Sequence, residues 1–311
     1  MYNRGLCSLW TNSFIIMILL LSACTLNEDD DIEKIPHKYS FFVAGHTYGK
    51  PGVDNVGLHP PFKAKFDFIK NDELMKFGVL TGDVVLNGSE TNWDEVDSDI
   101  VELGIPVYIA VGNHDMGDRN LYESRYGITY FKFSFDRDLF IILDPNIDKW
   151  NISDDQLVFL LNAVNALQDS TCNIFVFFHQ VLWWASDNIF RNIAVNSYAG
   201  RDSVINFWDD VEPIFHNRKN PVFMFAGDVG AFNTGDEYVY YSYDNITLIA
   251  SGMGSEVRDN FVIVDVDVNN KVSFRLIALN GNDINALGRL ENYSLDTISK
   301  YAHIFNNLET D

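Results

Sequence analysis

The chain has 311 residues, which suits one large α/β domain or two small ones. Hydrophobic residues make up 47% and aromatics 14%, enough for a sizeable core, so a globally disordered chain is excluded. A formal net charge of −22 disfavours phosphate backbones and anionic headgroups, so no nucleic-acid binding is expected, while divalent cations remain compatible.

Residues 1–23 read as a secretory signal. Arg4 precedes the apolar run Phe14 to Leu21, and eight residues fall short of the roughly 20 that a bilayer-spanning helix needs. The run ends in Leu21-Ser22-Ala23-Cys24, which resembles the bacterial lipobox. That resemblance implies cleavage before Cys24 and a lipid on its sulfur; an ordinary secretory signal with an incidental cysteine is the alternative. Residues 24–37 then form an acidic tether. "TLNEDDDIEK" is similar to the acidic stretches that follow the lipidated cysteine of surface-exported lipoproteins, and it also reads as a plain solvated spacer. The expected location is the cell envelope, anchored to the outer membrane and facing either the surface or the periplasm. With Cys7 removed and Cys24 acylated, Cys172 stands alone, so no internal disulfide is expected.

From residue 38 to about 280 short apolar strands alternate with amphipathic helices. Strand candidates are "YSFFVAG" ending at Gly45, "FGVLTGD" ending at Asp83, "PVYIAVGN" ending at Asn113, "NIFVFFHQ" reaching His179, and "PVFMFAGD" ending at Asp228. Helices are expected over 61–76, 93–103, 153–167 and 202–216, the third with Ser153 as N-cap and acids in its first turn. Two stretches read as antiparallel hairpins, "TYFKFSFDRDLFIILD" with a turn at 136–138 and "NFVIVDVDVNNKVSFRLIAL" with a turn at 269–270. The expectation is an α/β fold with a two-sheet mixed β-sandwich flanked by helices. Residues 281–311 form a C-terminal tail with a weakly amphipathic helix over 294–308.

All five strands end in polar groups: His46, Asp83, Asn113 with His114, His179, and Asp228. Carboxyl ends of strands converge on one edge in layered α/β folds, and ligands bind there. Glycine stands beside four of these ends, at Gly45, Gly82, Gly112 and Gly227. Carboxylate, amide and imidazole gathered at one edge point to a cation site with mixed oxygen and nitrogen ligands.

The motifs "LTGDVV", then "VGNHD" about 30 residues on, then the strand-end histidine of "VFFHQ", and a final glycine-led strand end resemble the calcineurin-like metallophosphoesterase superfamily over roughly residues 39–280. The resemblance implies a four-layer sandwich and metal-assisted phosphoester hydrolysis. It implies that Asp83 bridges two metals and that Asn113 and His179 ligate one of them. It makes His114 the general acid or transition-state stabiliser at the leaving-group oxygen, with Asp115 orienting its ring.

Four family positions differ. The first motif, Gly-Asp-x-His-Gly in the family, reads Gly45-His46-Thr47-Tyr48-Gly49. The last, Gly-His-x-His, reads Gly227-Asp228-Val229-Gly230. One seat keeps Asp83, Asn113, His179 and Asp228, a set suited to Mn²⁺, Mg²⁺, Ca²⁺ or Fe²⁺ more than to a structural Zn²⁺ site. The other keeps Asp83 with His46, and Tyr48 as metal ligand, phosphate contact, hydrogen-bond donor or packing residue. One or two ions of Mn, Fe, Mg, Ca or Zn are therefore the expected cofactor.

Plain readings stand beside these. His46 is also explained as a satisfied strand-end histidine, and Asp228 as a loop cap. Trp183 and Trp184 wall a substrate pocket or pack in the core. His59 reads as a loop residue and His216 as the end of its helix. Two functions follow: a metal-dependent phosphoesterase with an atypical site, acting on a phosphoester small molecule or envelope component, or a catalytically silent lipoprotein that binds an envelope ligand.

Overall fold

The computed structural model describes residues 36–232, 238–256 and 258–295. Strand β1 (His37–Ala44) starts the first sheet, followed by the short helices α1 (Pro60–Lys63) and α2 (Phe66–Lys70), and β2 (Met75–Leu80). Helix α3 (Glu90–Leu103), β3 (Val107–Ile109) and α4 (Arg119–Tyr126) come next. The hairpin β4 (Phe131–Phe135) and β5 (Asp138–Ile142) opens the second sheet, with α5 (Asp154–Asn165), β6 (Ile174–Phe177), a π-turn over Phe207–Val211, α6 (Glu212–Phe215), β7 (Val222–Ala226), β8 (Tyr238–Tyr243) and β9 (Ile246–Ser251). Strands β10 (Asn260–Asp267) and β11 (Val272–Ala278) return to the first sheet.

The first sheet has the order β11-β10-β1-β2-β3 and the second β4-β5-β6-β7-β9-β8. Within them β1, β2 and β3 run parallel, as do β5, β6, β7 and β9, so their carboxyl ends gather at common edges. Strand β1 explains the layering. Its odd residues, Tyr39, Phe41 and Val43, face the second sheet, and Phe42 and Ala44 face α1 to α4. Both faces of the strand are buried, which is why it reads as a continuous apolar run. Phe41 stacks on Phe77 at 5.2 Å and meets Phe140 and Phe175 edge-on at 5.3 and 5.1 Å, an aromatic seam between the sheets. Helices α5 and α6 cover the outer face of the second sheet. The two-sheet α/β sandwich is the expected one.

Several boundaries differ from the sequence reading. The helix expected over 61–76 breaks into α1 and α2, and Met75 and Lys76 belong to β2, because Asp72 turns the chain by accepting the Leu74 N–H at 3.0 Å. Helix α3 begins at Glu90, where Ser89 caps the Asn92 N–H. Ser153 holds the N-cap position of α5, but its hydroxyl donates to Asp148 at 2.6 Å and caps nothing. The helix expected over 202–216 shrinks to the π-turn and α6, since Pro213 lacks an N–H and interrupts the ladder. Strands β8 and β9, joined at Asp244-Asn245, form a hairpin that the sequence reading passed over.

In the tail, Leu290 is buried between the sheets and Tyr293 lies edge-on to Tyr238 at 4.1 Å. The signal, Cys24 and the tether up to residue 35 lie outside the described residues, as does the expected tail helix from residue 296 on, and His37, expected in the tether, is the first residue of β1. No helix among the described residues is long and apolar enough to cross a membrane.

Candidate metal centre

Strand β2 runs out at Leu80, and Thr81-Gly82-Asp83 turns sharply. Gly82 has φ +81° and Asp83 φ +50°, a left-handed turn that costs a non-glycine residue energy. The Asp83 carboxylate faces the end of β3 so closely that a Cβ on Gly112 would lie 2.2 Å from Asp83 Oδ1. Only glycine allows that approach. His114 N–H then donates to Asp83 Oδ1 at 3.1 Å, which ties the two strand ends together.

Three imidazoles converge on this point, and each is set by the same device. His179 Nδ1 lies 2.8 Å from the Thr81 carbonyl, His46 Nδ1 3.0 Å from that of Met253, and His114 Nδ1 2.7 Å from that of Leu86. A carbonyl only accepts, so each Nδ1 carries the proton and each neutral ring keeps its lone pair on Nε2. His179 Nε2 faces Asp83 Oδ2 at 3.3 Å and Asp228 Oδ1 at 3.7 Å, and His46 Nε2 faces Asp83 Oδ2 at 3.7 Å. All four side chains are buried.

Ligand atoms of Asp83, His179 and Asp228 lie within 4.8 Å of one another. His179 Nε2 and both Asp228 oxygens are buried without a hydrogen-bond partner. The Asn196 amide and the Ser197 N–H stand near enough to favour the charged form of Asp228, yet neither reaches hydrogen-bond geometry. Buried polar atoms are normally satisfied, so this cluster of acceptors asks for a cation among them. The three residues fit a divalent ion. Asn113 lies half-buried between Gly112 and His114, whose N–H groups are pinned to Asp115 and Asp83 respectively.

The electrostatics follow from burial and crowding. Burial pushes Asp228 up to about 8, with His179 opposing and Asp83 adding to the rise. Burial would depress His179, but Asp83 and Asp228 outweigh it and raise the ring to about 10. Burial would raise Asp83, but His179, and after it His46 and His114, hold it well below the usual carboxylate range. His46 is lowered to about 4 by burial, with Asp83 opposing.

The second seat is not built. His46 contributes one nitrogen, Gly230 no side chain, and the Tyr48 phenol is pushed well above its ordinary value by burial and by Asp83 and Asp228. Among the described residues no second cluster of three carboxylate, imidazole or thiolate groups forms. Tyr48 instead packs its ring 4.3 Å from that of His46 and 5.0 Å from that of His114.

One expected role is corrected. Asp115 does not orient His114. Its Oδ1 accepts the N–H groups of Val84 and Val85 at 2.8 and 3.1 Å and its Oδ2 that of Gly112 at 2.7 Å, while the Leu86 carbonyl fixes the imidazole. Asp115 therefore staples the two ligand-bearing turns together. Other positioning groups escaped the sequence reading. Gln180 donates to Asn146 at 2.7 Å, and Asn146 donates to the Val111 carbonyl at 3.0 Å, which links the His179 loop to the end of β3. His59 is no plain loop residue: it is buried, with Nε2 3.2 Å from Asp259. Trp183 is core and packs on Phe178, whereas Trp184 is half-buried against Tyr198. His216 caps the end of α6 and pairs with Glu212.

A scan against known protein families and a search of curated proteins each find no match. Solved structures do match. A purple acid phosphatase from yellow lupin (Lupinus luteus) seeds superposes with a TM-score of 0.56 at 13% identity, covering 79% of this chain and 52% of that one. A Staphylococcus aureus protein described as a 5'-nucleotidase follows, with a TM-score of 0.48, 12% identity and coverages of 79% and 55%. A Streptococcus pneumoniae protein described as a predicted phosphoesterase has a TM-score of 0.34, 8% identity and coverages of 78% and 90%. The chain spans about half the length of the lupin and staphylococcal proteins. Two mixed sheets with helices on both outer faces give this chain the fold of the lupin purple acid phosphatase, with a buried Asp-His-Asp cluster at its carboxyl strand ends.

Proposed function

We propose that the protein is a metal-dependent phosphoester hydrolase built around one divalent ion. The carrying observation is the buried, unpartnered set of His179 Nε2 and the two Asp228 oxygens beside Asp83. Asp83, His179 and Asp228, with the Asn113 amide, would hold the ion. When bound, such an ion neutralises phosphoryl charge and lowers the pKa of water. Two carboxylates, an amide and one imidazole suit Mn²⁺, Mg²⁺ or Fe²⁺.

The remaining residues position and protonate. His114 presents Nε2 from a ring fixed by Leu86 and, when protonated, donates to the leaving-group oxygen as the P–O bond breaks. Water supplies the new oxygen on phosphorus, and its proton passes to solvent. Tyr48 lies beside His114 and keeps its phenol protonated, so it acts as a hydrogen-bond donor to a phosphoryl oxygen. The same reading places the domain at the cell envelope through a lipid on Cys24, which Cys24→Ala and membrane fractionation would test.

Purified protein with added Mn²⁺ should hydrolyse a generic aryl phosphate or phosphodiester, and His114→Ala should lower the rate about 100-fold or more. No turnover with any divalent ion would leave the second reading, a silent binding module. The unbuilt second seat is what favours that alternative.

A further inference from the structure

The loop after β6 folds back onto the cluster. Val195 pairs with Val229, the Asn196 N–H donates to the Asp228 carbonyl at 3.0 Å, and the Ala231 N–H donates to the Asn196 side chain at 2.8 Å. Tyr198 lies two residues further, so its Cα is within roughly 7 Å of that of the pinned Asn196. The residue is 46% exposed, and its ring meets that of Trp184 at 4.5 Å with a 50° tilt. Burial raises the Tyr198 phenol, Arg201 opposes the rise, and Asp228 adds to it, which is consistent with that nearness.

Arg201 fixes the platform from behind. Its guanidinium lies over the rings of Trp150 and Trp184, 5.7 and 5.2 Å from their centroids. It donates to the carbonyls of Trp184 at 3.1 Å and Asp202 at 2.8 Å. Both Nη atoms are thus spent on backbone, while Nε is buried without a hydrogen-bond partner. Trp184 and Arg201 also line a cavity of about 360 Å³ that Asp187 and Asp209 border, a setting that repels a second phosphate.

Building on the hydrolase reading, we infer that Tyr198 and Trp184 form the leaving-group subsite of this centre. It accepts a neutral or cationic planar ring carried on the alcohol side of the ester, with Arg201 as a positioning residue for Trp184. An exposed tyrosine with a half-buried tryptophan beside a reacting centre binds π-systems through offset and edge contacts that a saturated ring cannot make.

The test compares 2-naphthylmethyl phosphate with cyclohexylmethyl phosphate, whose leaving groups are both primary alkoxides. The naphthyl ester should have the lower KM. Tyr198→Leu should cut kcat/KM about three- to tenfold for that ester only. Arg201→Gln should raise KM for the naphthyl ester without changing kcat, and Arg201→Lys should retain most of the preference. Equal losses on both esters, or no preference in the unaltered protein, would overturn the subsite. If neither ester is turned over, equilibrium dialysis of 2-naphthylmethyl phosphonate decides the subsite alone, and the hydrolase reading fails only when a generic aryl phosphate and phosphodiester are also left intact with every divalent ion. Binding weakened about three- to tenfold by Tyr198→Leu would uphold it, and binding indifferent to that change would overturn it.

Discussion

Loading the cluster with a divalent ion should expel protons, and the number follows from the structure. Without an ion, His179 sits at about 10 because Asp83 and Asp228 surround it, and Asp228 sits at about 8 because it is buried. At pH 7 the imidazole is therefore essentially all protonated and the Asp228 carboxyl about nine-tenths so. An ion needs the Nε2 lone pair and the carboxylate, so binding displaces about two protons. Both groups lose a proton on binding, and acid accordingly favours the ion-free form. The Mn²⁺ dissociation constant should fall by up to about 100-fold per pH unit between pH 6 and 7, and by about tenfold per unit near pH 9, where Asp228 is mostly ionised. Titration calorimetry in two buffers of different ionisation enthalpy reads the proton count directly. Asp228→Asn should weaken binding and reduce the release to about one proton. An affinity flat between pH 6 and 8, or release of less than half a proton, would refute the assignment of these two groups as ligands.

Asp115→Ala should destabilise the fold by about 3 kcal/mol or more, because it orphans three buried N–H groups at about 1–3 kcal/mol each. Urea unfolding checks this, and a cost under about 1 kcal/mol would return Asp115 to a purely chemical role. Gly112→Ala should weaken Mn²⁺ binding at least about tenfold while costing about 1–3 kcal/mol, since the added Cβ displaces the Asp83 carboxylate; calorimetry on the folded variant reads it. Asp259 is held below its ordinary 3.8: burial would raise it, but His59 and the Gly254 and Glu256 N–H groups outweigh that. Its folded pKa thus lies below its unfolded one, so its contribution is present above about pH 4 and is lost as pH falls through the folded value. Asp259→Asn should cost about 1–2 kcal/mol at pH 7 and progressively less in acid, as denaturation at a series of pH values would reveal.

How far the sequence could be read depended on whether a feature lived in side chains or in backbone. Asp83, His179 and Asp228 were legible because each ends an apolar run, the two aspartates beside glycine, and such ends converge in any parallel sheet. The carbonyls of Thr81, Leu86 and Met253 set the tautomer of every imidazole in the site, yet a carbonyl belongs to every residue and leaves no mark in sequence. Asp115 was misassigned for the same reason, since its partners are backbone N–H groups supplied by the fold. The helix expected over 202–216 failed on a local rule already visible in Pro213. The β8–β9 hairpin was visible in principle: Asp244-Asn245 separates two runs rich in aromatic and β-branched residues. Tyr198 and Arg201 lie on a long loop with no periodicity, where only the folded chain brings them to Trp184.

The four departures from the family motifs are not scattered. One seat keeps Asp83, Asn113 and His179 and has a carboxylate at Asp228, so the replacement there is still a group able to bind a cation. The other has no side chain at Gly230, which adopts φ +78°, and among the described residues Asp83 is the one carboxylate paired with its His46 nitrogen. A histidine returned to position 230 would have to take the left-handed conformation, a strain of about 1–2 kcal/mol, and would still lack the carboxylate that His46 displaces. The expected stoichiometry is therefore one ion per chain after dialysis against Mn²⁺, measured by elemental analysis. Gly230→His alone should leave it at one. Two ions bound per chain in the unaltered protein would mean that His46 and Tyr48 complete a second seat after all, and that the one-ion account of the centre is wrong.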